Sequence, residues 1–179
     1  REIAWWAAPL LDTAVEPLAE EPPAAPGDLE SLPREAASCT RCRLADQRRN
    51  VVVGEGDPHA LVMFIGEGPG AEEDRTGRPF VGQAGMLLDA MIFSLGLERR
   101  QAYIANVVKC RPPGNRDPEA DEVAACAPFL DRQIALIRPQ VIVALGKPAA
   151  RRLTGSTAPI SALRGRWSSY LGVPVLPTF

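Results

Sequence analysis

Leu61-Val62-Met63-Phe64-Ile65 is a run of five apolar residues that ends on Gly66 and opens into Glu67-Gly68-Pro69-Gly70. A short apolar run closed by glycine reads as a buried strand. The glycines around Pro69 leave a loop whose main chain can approach a ligand closely. Such a stretch constrains the chain twice: it supplies a central strand, and it puts a binding loop at that strand's carboxyl end.

The rest of the chain alternates in the same way. Ala102–Val107, Val141–Leu145 and Val173–Leu176 read as strands, and Gly85–Leu95, Pro118–Ile137 and Pro148–Leu153 as helices. The first of these helices carries Met86, Leu87, Ala90, Met91 and Ser94 on its wide face. The second opens with Glu119, Asp121 and Glu122, favourable at the positive end of the dipole. Strands alternating with helices predict an α/β fold, a three-layer αβα arrangement with a mostly parallel central sheet and ligands at the carboxyl ends of its strands. Before the first of these strands, Leu29–Ala37 reads as a helix, Asn50–Val53 as an edge strand and Gly54–Pro58 as a turn. Ile3–Leu18 reads as a short helix around Trp5 and Trp6, and the segment from Glu20 to Gly27 as a proline-rich acidic linker.

A dinucleotide fingerprint would require a helix to open directly after the glycines, so that its N-terminus meets a pyrophosphate. Here Pro69, the acidic run Glu72-Glu73-Asp74, Gly77, Pro79 and Gly82 are expected to keep the chain irregular to about Gly85. The loop is therefore read as a different kind of site, with one aromatic, Phe80, held in it.

The net charge of −2 averages two unlike parts. Residues 1–38 carry 2 basic and 8 acidic groups, whereas residues 39–179 carry 18 basic and 14 acidic groups, a net of +4. Arg41, Arg43, Arg48 and Arg49, or Arg164 and Arg166, could neutralise phosphates, although a solvated surface explains either cluster as well. No apolar run approaches a membrane span and no secretory leader is recognisable, so a soluble cytoplasmic protein is expected.

In that compartment the 4 cysteines argue against a disulfide framework. Cys39 and Cys42, two residues apart, can face one metal centre, and Cys110 and Cys126 can complete a four-thiolate shell. Spacing alone leaves metal, buried thiols and a redox pair open.

Taken together, Gly66-Glu67-Gly68-Pro69-Gly70, Gly77-Arg78-Pro79-Phe80-Val81-Gly82, the segment Asn106-Val107-Val108-Lys109-Cys110-Arg111-Pro112-Pro113 and the order of the four cysteines closely resemble the family 4 uracil-DNA glycosylases. The resemblance covers about Cys39 to Phe179 and leaves residues 1–38 as an acidic, proline-rich extension. It implies a base-excision repair enzyme, acting as a monomer on single- or double-stranded uracil-containing DNA near the nucleoid. Such an enzyme hydrolyses the N-glycosidic bond of deoxyuridine to leave an abasic site. It also implies a 4Fe-4S cluster on Cys39, Cys42, Cys110 and Cys126, of structural role, fixing the loop that carries Asn106.

Cleaving that bond requires a flipped base to be held and an anionic leaving group to be stabilised. Backbone N–H groups around Glu67, Gly68 and Gly70 suit the O2 side of uracil, with Gly66 allowing close approach. The resemblance has Phe80 stack on the base, Asn106 pair with N3–H and O4, and Glu73 crowd the C5 position where thymine carries its methyl group. Glu67, Gly68 and Asn106 form the expected catalytic set, and Arg164 and Arg166 a DNA-facing turn beside Trp167.

Gly68 stands where other uracil glycosylases carry an aspartate that positions water, so no side chain at that position can do so here. The family also continues past a strand like Pro174–Phe179 with a His-Pro motif. The sequence stops at Phe179, so this chain is expected to bind and turn over uracil poorly and the gene product to extend further. His59, in a turn, is expected to be an exposed loop residue. The alternatives are a non-catalytic iron–sulfur DNA-binding module on the same fold and a nicotinamide- or flavin-dependent oxidoreductase.

Overall fold

The computed structural model describes residues 28–179. The predicted Ile3–Leu18 helix and the linker after it lie outside them. Six strands form one sheet: β1 (Glu55–Gly56), β2 (Val62–Gly66), β3 (Tyr103–Asn106), β4 (Val141–Leu145), β5 (Ser168–Tyr170) and β6 (Val173–Thr178). Their spatial order is β1-β3-β2-β4-β6-β5, parallel through β3, β2, β4 and β6 and antiparallel at both edges. The chain runs outward from β2 to β3 and then returns to the other side of β2 with β4. That reversal opens a crevice beyond the carboxyl ends of the central strands.

Alternation within β2 builds the layers. Met63 and Ile65 join one core with α1 (Leu32–Ala37) and α4 (Ala120–Ile137), through Leu32, Ala36, Leu130 and Ile134. Phe64 packs on the opposite face with Ile104 and with Leu88 and Ile92 of α3 (Gln83–Ser94). The three-layer αβα arrangement is thus observed, and Leu32 and Ala36, ahead of Cys39, belong to its core. Among the described residues no helix is long and apolar enough to cross a membrane.

Several local expectations are corrected. Asn50–Val53 is not a strand: it is an extended segment tied by Val52 N–H to the Lys109 carbonyl at 2.8 Å, and the edge strand falls in the Gly54–Pro58 stretch instead. The chain after Gly70 is not irregular, because α2 (Ala71–Thr76) opens immediately. Its first turn carries the acidic run, Glu73 caps it by accepting the Gly70 N–H, and Gly77 closes it in the left-handed region at φ 74°. Asp74, at the end of the acidic run, is buried and accepts the Arg49 N–H at 2.9 Å.

The buried face of α3 is Gly85, Leu88 and Ile92, spaced three and four residues apart on one side, with Met86 and Leu87 turned to solvent. The helix read at Pro148–Leu153 spans Gly146–Thr154 (α5), and Ile160–Leu163 (α6) and β5, both too short to leave a periodic signal, are additional.

Candidate active site

β2 and β3 are hydrogen-bonded neighbours with Gly66 opposite Asn106, so their carboxyl-end loops leave the sheet side by side. Between these loops and the N-terminus of α3 lies a cleft of about 290 Å³, whose walls include Glu67, Gly68, Gly70, Glu73, Phe80 and Asn106. The residues singled out from sequence in this region therefore converge on one cavity. Gly66 lies just beneath it. A Cβ there would stand 2.4 Å from Phe80 Cζ and 2.7 Å from Asn106 Oδ1, so only glycine lets ring and amide approach the strand this closely.

Phe80 holds φ at +50°, a left-handed conformation that a non-glycine residue adopts at a cost of order 1–3 kcal/mol. Gly85 makes room for it, since a Cβ at that position would lie 2.0 Å from the Phe80 carbonyl oxygen. Asn106 is 1% exposed, and its Oδ1 is buried without a donor among the described residues. An unpaired buried acceptor costs about 1–3 kcal/mol. At the wall of a cavity it is an acceptor held ready for a ligand's N–H.

Glu73 also ties the site together. Its carboxylate accepts N–H bonds from Gly70 (3.1 Å), Val81 (2.8 Å) and Gly82 (2.9 Å), tying the glycine loop to the Phe80 loop. Burial pushes this carboxyl up, but the Gly82, Val81 and Gly70 N–H groups outweigh it and hold the group below the usual carboxylate range. The same bond removes the Gly70 N–H from the donors offered to a ligand. The Glu67 and Gly68 N–H groups have no acceptor among the described residues. Burial, and then the Asp117 charge, raise the Glu67 carboxyl, with Lys147 partly opposing them.

Sequence reasoning missed the support behind Asn106. Lys109, 1% exposed, donates from Nζ to the Asn106 carbonyl at 2.8 Å and to Gln133 Oε1 at 2.6 Å. Gln133 Nε2 in turn donates to the Val53 carbonyl and to the Tyr103 hydroxyl. Burial brings the Lys109 ammonium down to about 8. A lysine between Val108 and Cys110 gives no sign in sequence of being buried.

The four cysteines, drawn from Cys39-Thr40-Arg41-Cys42, the loop after β3 and α4, surround one small hollow. Arg41 Nε donates to Cys39 Sγ at 3.3 Å, Arg48 Nη1 to Cys110 Sγ at 3.2 Å, and the Lys109 N–H to Cys126 Sγ at 3.3 Å. N–H donors and two guanidinium groups aimed at sulfur suit thiolates that carry negative charge. Among the described residues no three His, Cys, Asp or Glu side chains are grouped to hold a single metal ion. Four thiol side chains facing one hollow are of a chemistry that metal centres use as ligands.

The basic residues divide. Arg43 is committed to Glu119, Asp121 and Glu122, and Arg48 to Cys110 and the Ala37 carbonyl, so neither is a free phosphate contact. Arg41 lies 4.5 Å from the Phe129 ring centroid. Arg164 stacks on Phe179, 5.1 Å from the ring centroid, and Gly165 N–H binds the Pro177 carbonyl, which puts this turn at the carboxyl end of β6, the edge on which the cleft opens. Arg166 is exposed beside it, and Trp167, 60% exposed, lies outside the core. His59 is exposed in its turn, as expected.

An αβα sheet carries a cleft at its switch point, walled by glycine-loop amides, one strained aromatic and one buried amide, a site of the size and chemistry to receive a small planar ligand. The family model described as the uracil DNA glycosylase superfamily matches residues 53–179. A type-4 uracil-DNA glycosylase of Thermotoga maritima is 50% identical over 153 residues, spanning 84% of this chain and 80% of its own length. A type-4 uracil-DNA glycosylase of Sulfurisphaera tokodaii is 52% identical over 143 residues, 77% of this chain and 65% of its own. A type-5 uracil-DNA glycosylase of Pyrobaculum aerophilum is 39% identical over 120 residues, 57% of this chain and 53% of its own. The chain belongs to the uracil-DNA glycosylase superfamily, and within it to the type-4 branch.

Proposed function

We propose that this chain forms the base-excising domain of a uracil-DNA glycosylase, hydrolysing the N-glycosidic bond of deoxyuridine in DNA. The observation that carries this reading is the Asn106 amide, buried with an unpaired Oδ1 on the wall of the cleft that Phe80 also lines. Uracil offers a donor at N3 and an acceptor at O4, the complement of a carboxamide's Oδ1 and Nδ2. Cytosine reverses the donor on that edge and would leave a buried group unpaired, a difference that can reach about 10⁴-fold in discrimination.

An everted base stacks on the Phe80 ring and pairs with Asn106. The Glu67 and Gly68 N–H groups meet the negative charge that grows on O2 as the bond to the sugar breaks. With glycine at position 68, catalysis leans on stabilising the leaving base and the sugar cation rather than on an aspartate that holds water. Glu73 latches the two loops, and its side chain also fills the wall from which a C5 methyl would be excluded. Arg164 and Arg166 supply phosphate contacts at the mouth.

Cys39, Cys42, Cys110 and Cys126 hold a 4Fe-4S cluster in this reading. The cluster supplies a cross-link between the N-terminal segment and the loop after Asn106. DNA, single- or double-stranded, is the partner, and the protein works as a cytoplasmic monomer.

The test is release of free uracil from a uracil-containing oligonucleotide by the full-length protein, alongside N106A. Release by the parent with loss of about 10²-fold or more in N106A is expected. No release from a protein whose iron and sulfide content is complete rejects the reading and favours a non-catalytic module.

A further inference from the structure

The strained Phe80 needs something to hold it, and the side chain placed to do so is Arg99, in the turn just before β3. Its Nη2 donates to the Pro79 carbonyl at 2.6 Å and its Nη1 to the Phe80 carbonyl at 3.2 Å. The same guanidinium is anchored behind by Glu55 Oε1 at 2.8 Å and Asp89 Oδ1 at 2.7 Å, from β1 and α3. Glu55 is itself fixed by Arg78 at 2.9 Å. One planar cation thus joins an edge strand, a helix and the two carbonyls that flank the left-handed turn of the chain at Phe80.

We infer that Arg99 is the positioning residue for the aromatic wall of the cleft: it keeps Phe80 in its left-handed conformation and so sets the grip on the base. Lysine cannot substitute, because a single ammonium has no planar fork with which to span two carbonyls and two carboxylates. Arg99 lines no part of the cleft, so its influence on the reaction passes through Phe80.

The kinetic arm rests on the uracil-excision reading; a structural arm does not. In the kinetic arm, R99K, F80A and the double variant are compared by single-turnover excision. R99K is expected to lower kcat/KM about tenfold in the parent and by less than about twofold in F80A, because the coupling is lost with the ring. An equal loss in both backgrounds, or none in the parent, overturns the inference. Should R99K fold poorly, E55Q loosens the same guanidinium without touching Phe80, and the same pattern is expected at about threefold.

In the structural arm, the crystal structure of the R99K or E55Q protein is expected to show Phe80 outside the positive-φ region and its ring displaced from Gly66. Phe80 unmoved overturns the inference. A parent that releases no uracil defeats the functional reading alone, and the structural arm still decides the role of Arg99.

Discussion

Gly66→Ala separates folding from function at the centre of the site. The new Cβ would meet Phe80 Cζ at 2.4 Å and Asn106 Oδ1 at 2.7 Å, where ordinary contact begins at 3.4 Å, so the ring must retreat by about 1 Å and the amide by somewhat less. Both are side-chain atoms, free to swing into the cleft without breaking the β2–β3 ladder. Overpacking costs about 1–3 kcal/mol and removing a strand glycine returns about 0.5–1 kcal/mol, leaving a net loss of about 1–2 kcal/mol. Displacing a positioning group by about 1 Å lowers a rate by roughly 10²-fold. The expected G66A protein therefore melts only a few degrees lower while single-turnover release of uracil falls about a hundredfold. Excision within about threefold of the parent would refute the claim that ring and amide are held against this glycine for the reaction.

Three further outcomes follow from the geometry. E73Q replaces the shared acceptor of three N–H groups and should cost about 1–2 kcal/mol in urea melts, together with most of the excision. Because the Glu73 carboxyl sits below its ordinary value of 4.5 in the fold, its contribution is complete above that pH and fades as pH falls through the lowered value. The difference between parent and E73Q should shrink on acidification. Q133L leaves the Lys109 ammonium with the Asn106 carbonyl alone, removes the partner of the Val53 carbonyl and the Tyr103 hydroxyl, and should lower stability by about 2–4 kcal/mol in denaturant melts. C126S should remove the broad absorbance near roughly 400 nm that iron–sulfur centres show and lower the iron content of the purified protein; unchanged iron would exclude Cys126 as a ligand.

How much of this could be read from the chain differs by element. The β2 run and the β3 strand were legible because buried parallel strands are apolar throughout, and their loops because glycine and proline punctuate them. Helix α2 was not, since its six residues are held by a cap and a left-handed glycine rather than by an apolar stripe. The face of α3 differs from the expected one because Met86 and Leu87 are as apolar as Leu88 and Ile92, so the pattern alone does not say which side of the helix meets the sheet. Phe80, Asn106 and the cysteines were found through motif, whereas Lys109, Gln133 and Arg99 were not. Their importance lies in burial and in partners up to 80 residues away, which local pattern does not encode.

The pairing of Gly66 with Asn106 across adjacent parallel strands has a consequence for how such a site changes over time. The placement of Asn106 beside Gly66 and the loop that follows it is dictated by main-chain bonding, whose repeat does not depend on which side chains are present. Substitutions along the two loops can therefore reshape the cleft while that register stays the same. A change in what the cleft admits then needs no rebuilding of the sheet that carries it.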